Sequence, residues 1–149
     1  MKILFVCSTG GHLGQLYKLR PWWEAHERAW VTFDDPHSRS LLRGERVTPA
    51  FAPTTRNVPN AIRNLRLAIR ILRAYRPDVV ISDGAGVAFP FFLVARVIGI
   101  RTAYLEVFDR ITRPTMTGRL CYPIAELFLL QWPEQVRHYP RGRVIGCLL

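Results

Sequence analysis

Lys2-Ile3-Leu4-Phe5-Val6-Cys7, followed at once by Ser8-Thr9-Gly10-Gly11-His12-Leu13-Gly14, is the stretch that decides the fold. An apolar run of strand length passes into a segment of helical apolar spacing, so a glycine-rich turn joins a buried strand to a helix. Gly10 and Gly11 have no Cβ and let a ligand approach the backbone, and the first amides of the helix point outward with partial positive charge. His12 adds a titratable side chain at the same place. A diphosphate, a nucleotide or a lipid-linked sugar phosphate suits such a turn; the alternative is a tight connection without ligand.

Apolar runs of strand length recur at residues 2–7, 29–33, 46–51, 78–82, 101–107, 126–131 and 143–147, separated by segments of helical pattern. This alternation predicts an α/β, Rossmann-like fold: a parallel sheet with helices on both faces. A ligand then belongs outside the carboxyl ends of the strands, on loops 8–12, 34–37, 52–59, 83–87, 107–115 and 131–134. A chain of 149 residues is one domain, 1–149, with no repeat or linker dividing it.

Lys and Arg outnumber Asp and Glu by 21 to 11, a formal charge of +10, which points to phosphate-bearing partners. Lys2 and Lys18 are the only lysines. Arginine grips phosphate bidentately, although genome composition also produces such a bias. Nucleic acid is disfavoured, because a buried parallel sheet offers no exposed platform of interleaved aromatic and basic residues. Cys7, Cys121 and Cys147 have neither metal-ligand spacing nor an even-numbered framework, so thiols in a reducing compartment are expected, and no metal or cofactor. No apolar stretch is long enough to cross a bilayer, and because Met1 leads straight into the first strand no signal peptide is expected.

The helix after Pro59 carries Ile62, Leu65, Ile69 and Leu72 on one line, the expected core face, and Arg63, Arg66, Arg70 and Arg73 one residue on. That stripe is either a solvated face or a contact for anionic headgroups. Trp22 and Trp23 follow Arg20-Pro21 where the first helix ends. Adjacent tryptophans do not share one core, so one of them is expected at the surface, as interfacial anchors are.

A second glycine turn, Ser82-Asp83-Gly84-Ala85-Gly86, faces the same sheet edge. Asp83 is out of place for phosphate, and capping of the following helix is its simplest role. Glu106 ends the fifth strand in an apolar setting that raises a carboxyl pKa, which makes it a candidate base unless Arg101 or Arg110 pairs with it. Asp34 or Asp35 stands where a dinucleotide fold keeps its ribose-binding acid. That rival fingerprint is incomplete: Gly11 and Gly14 fit its second and third glycines, but Thr9 fills the first.

Six segments resemble bacterial exopolysaccharide and capsule proteins of the PssD and CpsF type: Ser8-Thr9-Gly10-Gly11-His12, Pro53-Thr54-Thr55-Arg56-Asn57, Asp83-Gly84-Ala85-Gly86-Val87, Glu106-Val107-Phe108-Asp109-Arg110, Met116-Thr117-Gly118-Arg119 and Phe128-Leu129-Leu130-Gln131-Trp132-Pro133-Glu134. Those proteins are similar to the membrane-recruiting subunit of the eukaryotic two-subunit UDP-N-acetylglucosamine transferase. The resemblance implies the amino-terminal, acceptor-binding half of an inverting GT-B glycosyltransferase whose carboxy-terminal, donor-binding half is a separate polypeptide. It implies transfer from a UDP-sugar to a polyprenyl-diphosphate-linked saccharide at the cytoplasmic face of the cell membrane.

By position, the resemblance puts His12 and the amides of Gly10 and Gly11 at the acceptor diphosphate or reacting centre. Arg56, Asn57, Gly84, Gly86, Asp109, Arg110, Thr117 and Arg119 become substrate contacts, with Glu106 the preferred base and His12 the second. The eukaryotic relatives carry an amino-terminal membrane helix; none is expected in this sequence, so attachment is expected to be peripheral, through Trp22, Trp23, Arg63, Arg66, Arg70 and Arg73 on an anionic surface. Asp83 departs from the small hydroxylic or amide residue expected there. The carboxyl edge and residues 144–149 are the expected docking face for the partner.

Overall fold

The computed structural model describes residues 1–148, so Leu149 of the expected docking segment lies outside the described residues. Seven strands, β1 (Lys2–Val6), β2 (Glu27–Thr32), β3 (Val47–Pro49), β4 (Val79–Ser82), β5 (Arg101–Leu105), β6 (Leu127–Leu130) and β7 (Arg143–Val144), form one sheet. Its order is β3-β2-β1-β4-β5-β6-β7 and every neighbouring pair is parallel. Each apolar run read from the sequence coincides with one strand, β2 starting two residues before its run at Glu27. The helices are α1 (Gly11–Tyr17), α2 (Arg20–Trp23), α3 (Pro36–Leu41), α4 (Val58–Tyr75), α5 (Ala88–Ile98) and α6 (Met116–Cys121), with a 3-10 turn at Pro133–Arg137. Among the described residues no helix is long and apolar enough to cross a membrane.

Alternate strand residues feed two cores. On the first face Leu4, Val6, Val31, Val80, Tyr104 and Phe128 pack under α4, α5 and α6. On the second, Ile3, Phe5, Trp30, Ile81, Ala103 and Leu105 meet Leu13, Leu16 and Trp23. That second face is incompletely covered, with Val79, Leu127 and Leu129 only partly buried. Over β4, β5 and β6, Val79, Ile81, Leu127 and Leu129 line an apolar groove of about 390 Å³, with Leu19, Trp22 and Ile145 at its rim.

Helix α4 starts with Asn57 as its cap, whose side chain accepts from the Asn60 amide at 2.9 Å, and ends at a left-handed Arg76 (φ 48°) just before Pro77. Its buried line is Asn60, Asn64, Leu67, Ala68, Leu72 and Tyr75; of the expected Ile62-Leu65-Ile69-Leu72 face, Leu72 is fully buried and Leu65 and Ile69 pack against the core, but Ile62 does not. Asparagine causes the difference. Asn64 exchanges two hydrogen bonds with the Phe51 backbone, both 2.9 Å, and Asn60 donates to the Pro53 carbonyl at 2.9 Å. Two amides thus take over the backbone of the segment after β3, which shortens that strand to three residues and turns Ile62 outward, 47% exposed.

Candidate functional site

The chain leaves β1 for α1 on the second face and leaves adjacent β4 for α5 on the first face. Neighbouring parallel strands whose connections diverge open a crevice at their carboxyl ends. The two glycine turns found in the sequence occupy that switch point.

His12 stands on the first turn of α1, after Gly10 at φ 71°, a left-handed conformation that glycine adopts without strain. Its Nδ1 lies 3.3 Å from Oδ2 of Asp83, which is fully buried at the end of β4. The contact is within ion-pair reach but off line for a hydrogen bond, leaving Nδ1 and Asp83 Oδ1 without hydrogen-bond partners. Nδ1 is buried while the His12 side chain keeps 29% exposure, so the open part of the ring is the side away from Asp83. Burial pulls the His12 pKa down, but the Asp83 carboxylate, with a smaller contribution from Asp109, lifts it above the usual histidine value. Burial pushes Asp83 up to about 6 against the opposing pull of His12. Gln15 also donates to Asp83 Oδ2 at 3.1 Å, and Gln131 donates to Gln15 at 2.7 Å and to the Glu106 carbonyl at 2.9 Å. Asp83 therefore does not cap α5, whose cap position is Val87.

Glu106 follows β5 as expected, yet it has no exposed surface. Its carboxylate accepts from the Tyr139 hydroxyl at 2.5 Å, from the Val107 amide at 3.0 Å and from Thr115 Oγ1 at 3.2 Å. Burial raises its pKa, and these donors oppose the rise. Neither Arg101 nor Arg110 pairs with it. The arrangement is an internal tie: Thr115 in turn accepts from the Gly118 amide at 2.9 Å and caps α6. A Cβ on Gly118 would overlap Tyr139, Glu106 and Thr115, which is why the Thr-Gly-Arg segment needs glycine there.

Asp109 and Arg110 are exposed on the loop after β5. The 131–135 segment clamps that loop: Trp132 Nε1 donates to the Phe108 carbonyl at 2.7 Å, and Gln135 donates to the Val107 and Arg110 carbonyls at 3.0 and 3.2 Å. Gly84 (φ 119°) sits beneath the His12 ring, and a Cβ there would come within 2.8 Å of the Tyr104 hydroxyl. Gly86 is pressed against Thr54. Both glycines have packing reasons to be glycine. Asn57 is occupied as the α4 cap, Arg56 is exposed at φ 48°, and Thr117 and Arg119 are on α6. The sequence reading missed Gln15, Gln135 and Tyr139, and gave Gln131, quoted within the Gln131-Trp132-Pro133-Glu134 segment, no role. Their signal is faint because an isolated glutamine or tyrosine carries no local pattern.

The expected membrane set does not hold together. Trp23 is 1% exposed, edge-on to Phe5 and Trp30, and donates to the Leu16 carbonyl at 3.1 Å. Trp22 is 44% exposed but borders the groove on the second face, opposite the face that α4 covers with its arginines. The acids of the rival dinucleotide reading are also occupied. Asp34 pairs with Arg39 at 2.6 and 2.9 Å, and Asp35 accepts from the Ser38 amide at 2.8 Å as the cap of α3.

Fold and switch-point crevice define a Rossmann-like α/β domain. The chain overlays Acinetobacter baumannii MurG with a TM-score of 0.72 at 17% identity, covering 90% of this chain and 43% of that one. It overlays a Staphylococcus aureus MnaA–UDP structure with a TM-score of 0.77 at 15% identity, covering 99% and 45%. The chain belongs to the family described as "Oligosaccharide biosynthesis protein Alg14 like", which it matches over residues 3–148. UDP-N-acetylglucosamine transferase subunit ALG14 of Yarrowia lipolytica is 21% identical over 99% of this chain and 81% of that protein. The Eremothecium gossypii subunit is 32% identical over 67% and 47%, and the human one 24% identical over 57% and 42%. The chain thus spans less than half the length of the solved structures it resembles.

Proposed function

We propose that this chain is the acceptor-binding subunit of a split, inverting GT-B glycosyltransferase. The observation that carries the reading is the His12–Asp83 contact at the switch point of a domain that supplies one wall of a cleft. A second polypeptide supplies the other wall and holds the UDP-sugar, as the half-length overlay on MurG and MnaA supports. The incompletely covered second face, with its apolar groove and Trp22 at the rim, suits burial against that partner, because sheets of this class cover both faces. The acceptor is a polyprenyl-diphosphate-linked saccharide. The chain works peripherally at the cytoplasmic face of the cell membrane, and the resemblance of its segments to PssD and CpsF-type proteins favours exopolysaccharide or capsule assembly.

In this mechanism the acceptor hydroxyl oxygen attacks the anomeric carbon of the donor sugar. The bond from that carbon to the UDP oxygen breaks, UDP leaves with the electron pair, and the hydroxyl proton passes to the open nitrogen of His12. Asp83 orients the ring and stabilises the imidazolium. An off-line 3.3 Å contact in the free protein is compatible with this, since catalytic hydrogen bonds often align only around bound substrate. His12 takes the base role ahead of Glu106, whose oxygens face inward to Tyr139, Thr115 and Val107. Arg56, Arg110 and Arg119 remain the candidate diphosphate contacts. The test combines this chain, a donor-binding partner, membranes bearing lipid-linked sugar and a panel of UDP-sugars. Transfer that needs both polypeptides and falls at least a hundredfold in His12→Ala supports the reading; transfer indifferent to His12 removes it.

A further inference from the structure

Three helices cover the first face of the sheet side by side: α4, α5 and α6. Their 35 residues contain six arginines, Arg63, Arg66, Arg70, Arg73, Arg96 and Arg119, and no Asp or Glu, although the chain has 11 acids. A layer so sorted by charge repels cations and polybasic surfaces and attracts an anionic sheet of charge.

Each helix also presents outward apolar residues. On α4, Ile62 lies opposite the buried Asn64–Ala68–Tyr75 line and shares the outer face with Arg66 and Arg73, with Val58 (69% exposed) one turn before. On α5 the outer residues are Leu93, Arg96 and Val97, the last 77% exposed; on α6 they are Met116, Arg119 and Leu120, with Met116 74% exposed. The same composition, an apolar residue flanked by arginine, thus recurs on three adjacent helices. Long arginine stems reach headgroups while short apolar side chains enter the acyl boundary. The amino-terminal ends of all three helices follow loops 52–57, 83–87 and 107–115 at the carboxyl edge of the sheet, which places the layer beside the His12 crevice.

We propose that the outer surface of α4, α5 and α6 is the membrane-docking face, and that its occupant is an anionic phospholipid bilayer. The proposal rests on the acceptor-subunit reading for its purpose, but its geometry stands apart from it: Trp22 and Trp23 belong to the opposite face and take no part. Sedimentation of the full chain with phosphatidylglycerol-containing vesicles, against pure phosphatidylcholine vesicles, tests it. Binding should require the anionic lipid and weaken as salt rises. The quadruple variant Ile62→Ser, Leu93→Ser, Val97→Ser, Met116→Ser should bind at least tenfold more weakly, and Arg66→Gln with Arg73→Gln and Arg96→Gln should lose most of the salt-sensitive part. All seven side chains are exposed, so the melting temperature serves as the folding control. Unchanged vesicle binding in both variants, or loss of binding in Trp22→Ser instead, overturns the proposal. Loss of partner co-purification in the serine variant also overturns it, by making the layer a protein interface. Transfer to a short-chain, water-soluble acceptor separates the two readings: the serine variant should keep that activity, whereas failure of the acceptor-subunit reading abolishes it in the parent protein too.

Discussion

His12 Nδ1 and Asp83 Oδ2 are 3.3 Å apart across two loops that diverge to opposite faces of the sheet. The pair joins an open imidazole to a carboxyl group without solvent contact, and its consequences can be separated by pH.

For activity, a base must be neutral, and the net effect of the Asp83 carboxylate is to hold His12 protonated to higher pH than an ordinary histidine. The acid limb of the rate profile should therefore lie above 6.5, the usual histidine value. In Asp83→Asn it should move to lower pH while the plateau rate falls. A pH–rate series on the reconstituted complex measures both, and an unmoved limb would show that Asp83 does not govern His12.

For stability, the sign is set by proton binding. A carboxyl raised from 3.8 to about 6 binds protons more tightly folded than unfolded, so its contribution is best below 3.8 and is lost as pH rises through about 6. His12, also raised, loses its stabilisation in the same direction. Two pH units at 1.36 kcal/mol each bound the Asp83 cost near 3 kcal/mol at neutral pH. Asp83→Asn should thus raise the melting temperature at pH 8 by several degrees, at about 2–4 °C per kcal/mol, and by little at pH 4. Thermal melts at the two pH values check it.

Glu106 and Tyr139 should behave as structural partners. Tyr139→Phe or Glu106→Gln leaves buried acceptors or donors short of a partner, a loss of about 1–3 kcal/mol in urea denaturation. Transfer per folded molecule in Glu106→Gln should stay within about tenfold of the parent, against a loss of at least a hundredfold in His12→Ala. Equal losses would return the base role to Glu106.

The glycines should divide by surroundings. Gly10→Ala meets no atom within 4 Å and bears only the strain of a positive-φ backbone that glycine alone adopts freely (φ 71°, ψ −132°), about 1–3 kcal/mol. Gly118→Ala has ordinary helical backbone but would overlap three side chains, and Gly84→Ala has both penalties, since its Cβ would also crowd the Tyr104 hydroxyl at 2.8 Å. Urea midpoints should fall least for Gly10→Ala.

The sheet was legible in the sequence because each strand is a bounded apolar run, and its two glycine turns fall where strand order reverses. The face of α4 was legible only in part: Leu65, Ile69 and Leu72 pack on the core, and Ile62 does not. Asn60 and Asn64 are buried for backbone hydrogen bonds, and no hydrophobic count reveals that. Glu106 was correctly placed at a strand end and given a raised pKa, but the Tyr139 and Thr115 that turn it inward lie 33 and 9 residues away. For Trp22-Trp23 the sequence says that one side chain is at the surface but not which; Trp23 is the buried one, edge-on to Phe5 and Trp30, and only its assignment to the membrane set fails.

In the proposed reaction, His12 acts at one wall of a shared cleft. Sugar transfer from a UDP-sugar to a lipid-linked acceptor, measured for this chain alone, for its donor-binding partner alone, for the two combined, and for His12→Ala combined with the partner, tests that most directly. The expected result is transfer only in the combined sample, with His12→Ala still binding partner and vesicles but at least a hundredfold slower. Full transfer by this chain alone, or by the His12→Ala complex, would contradict it.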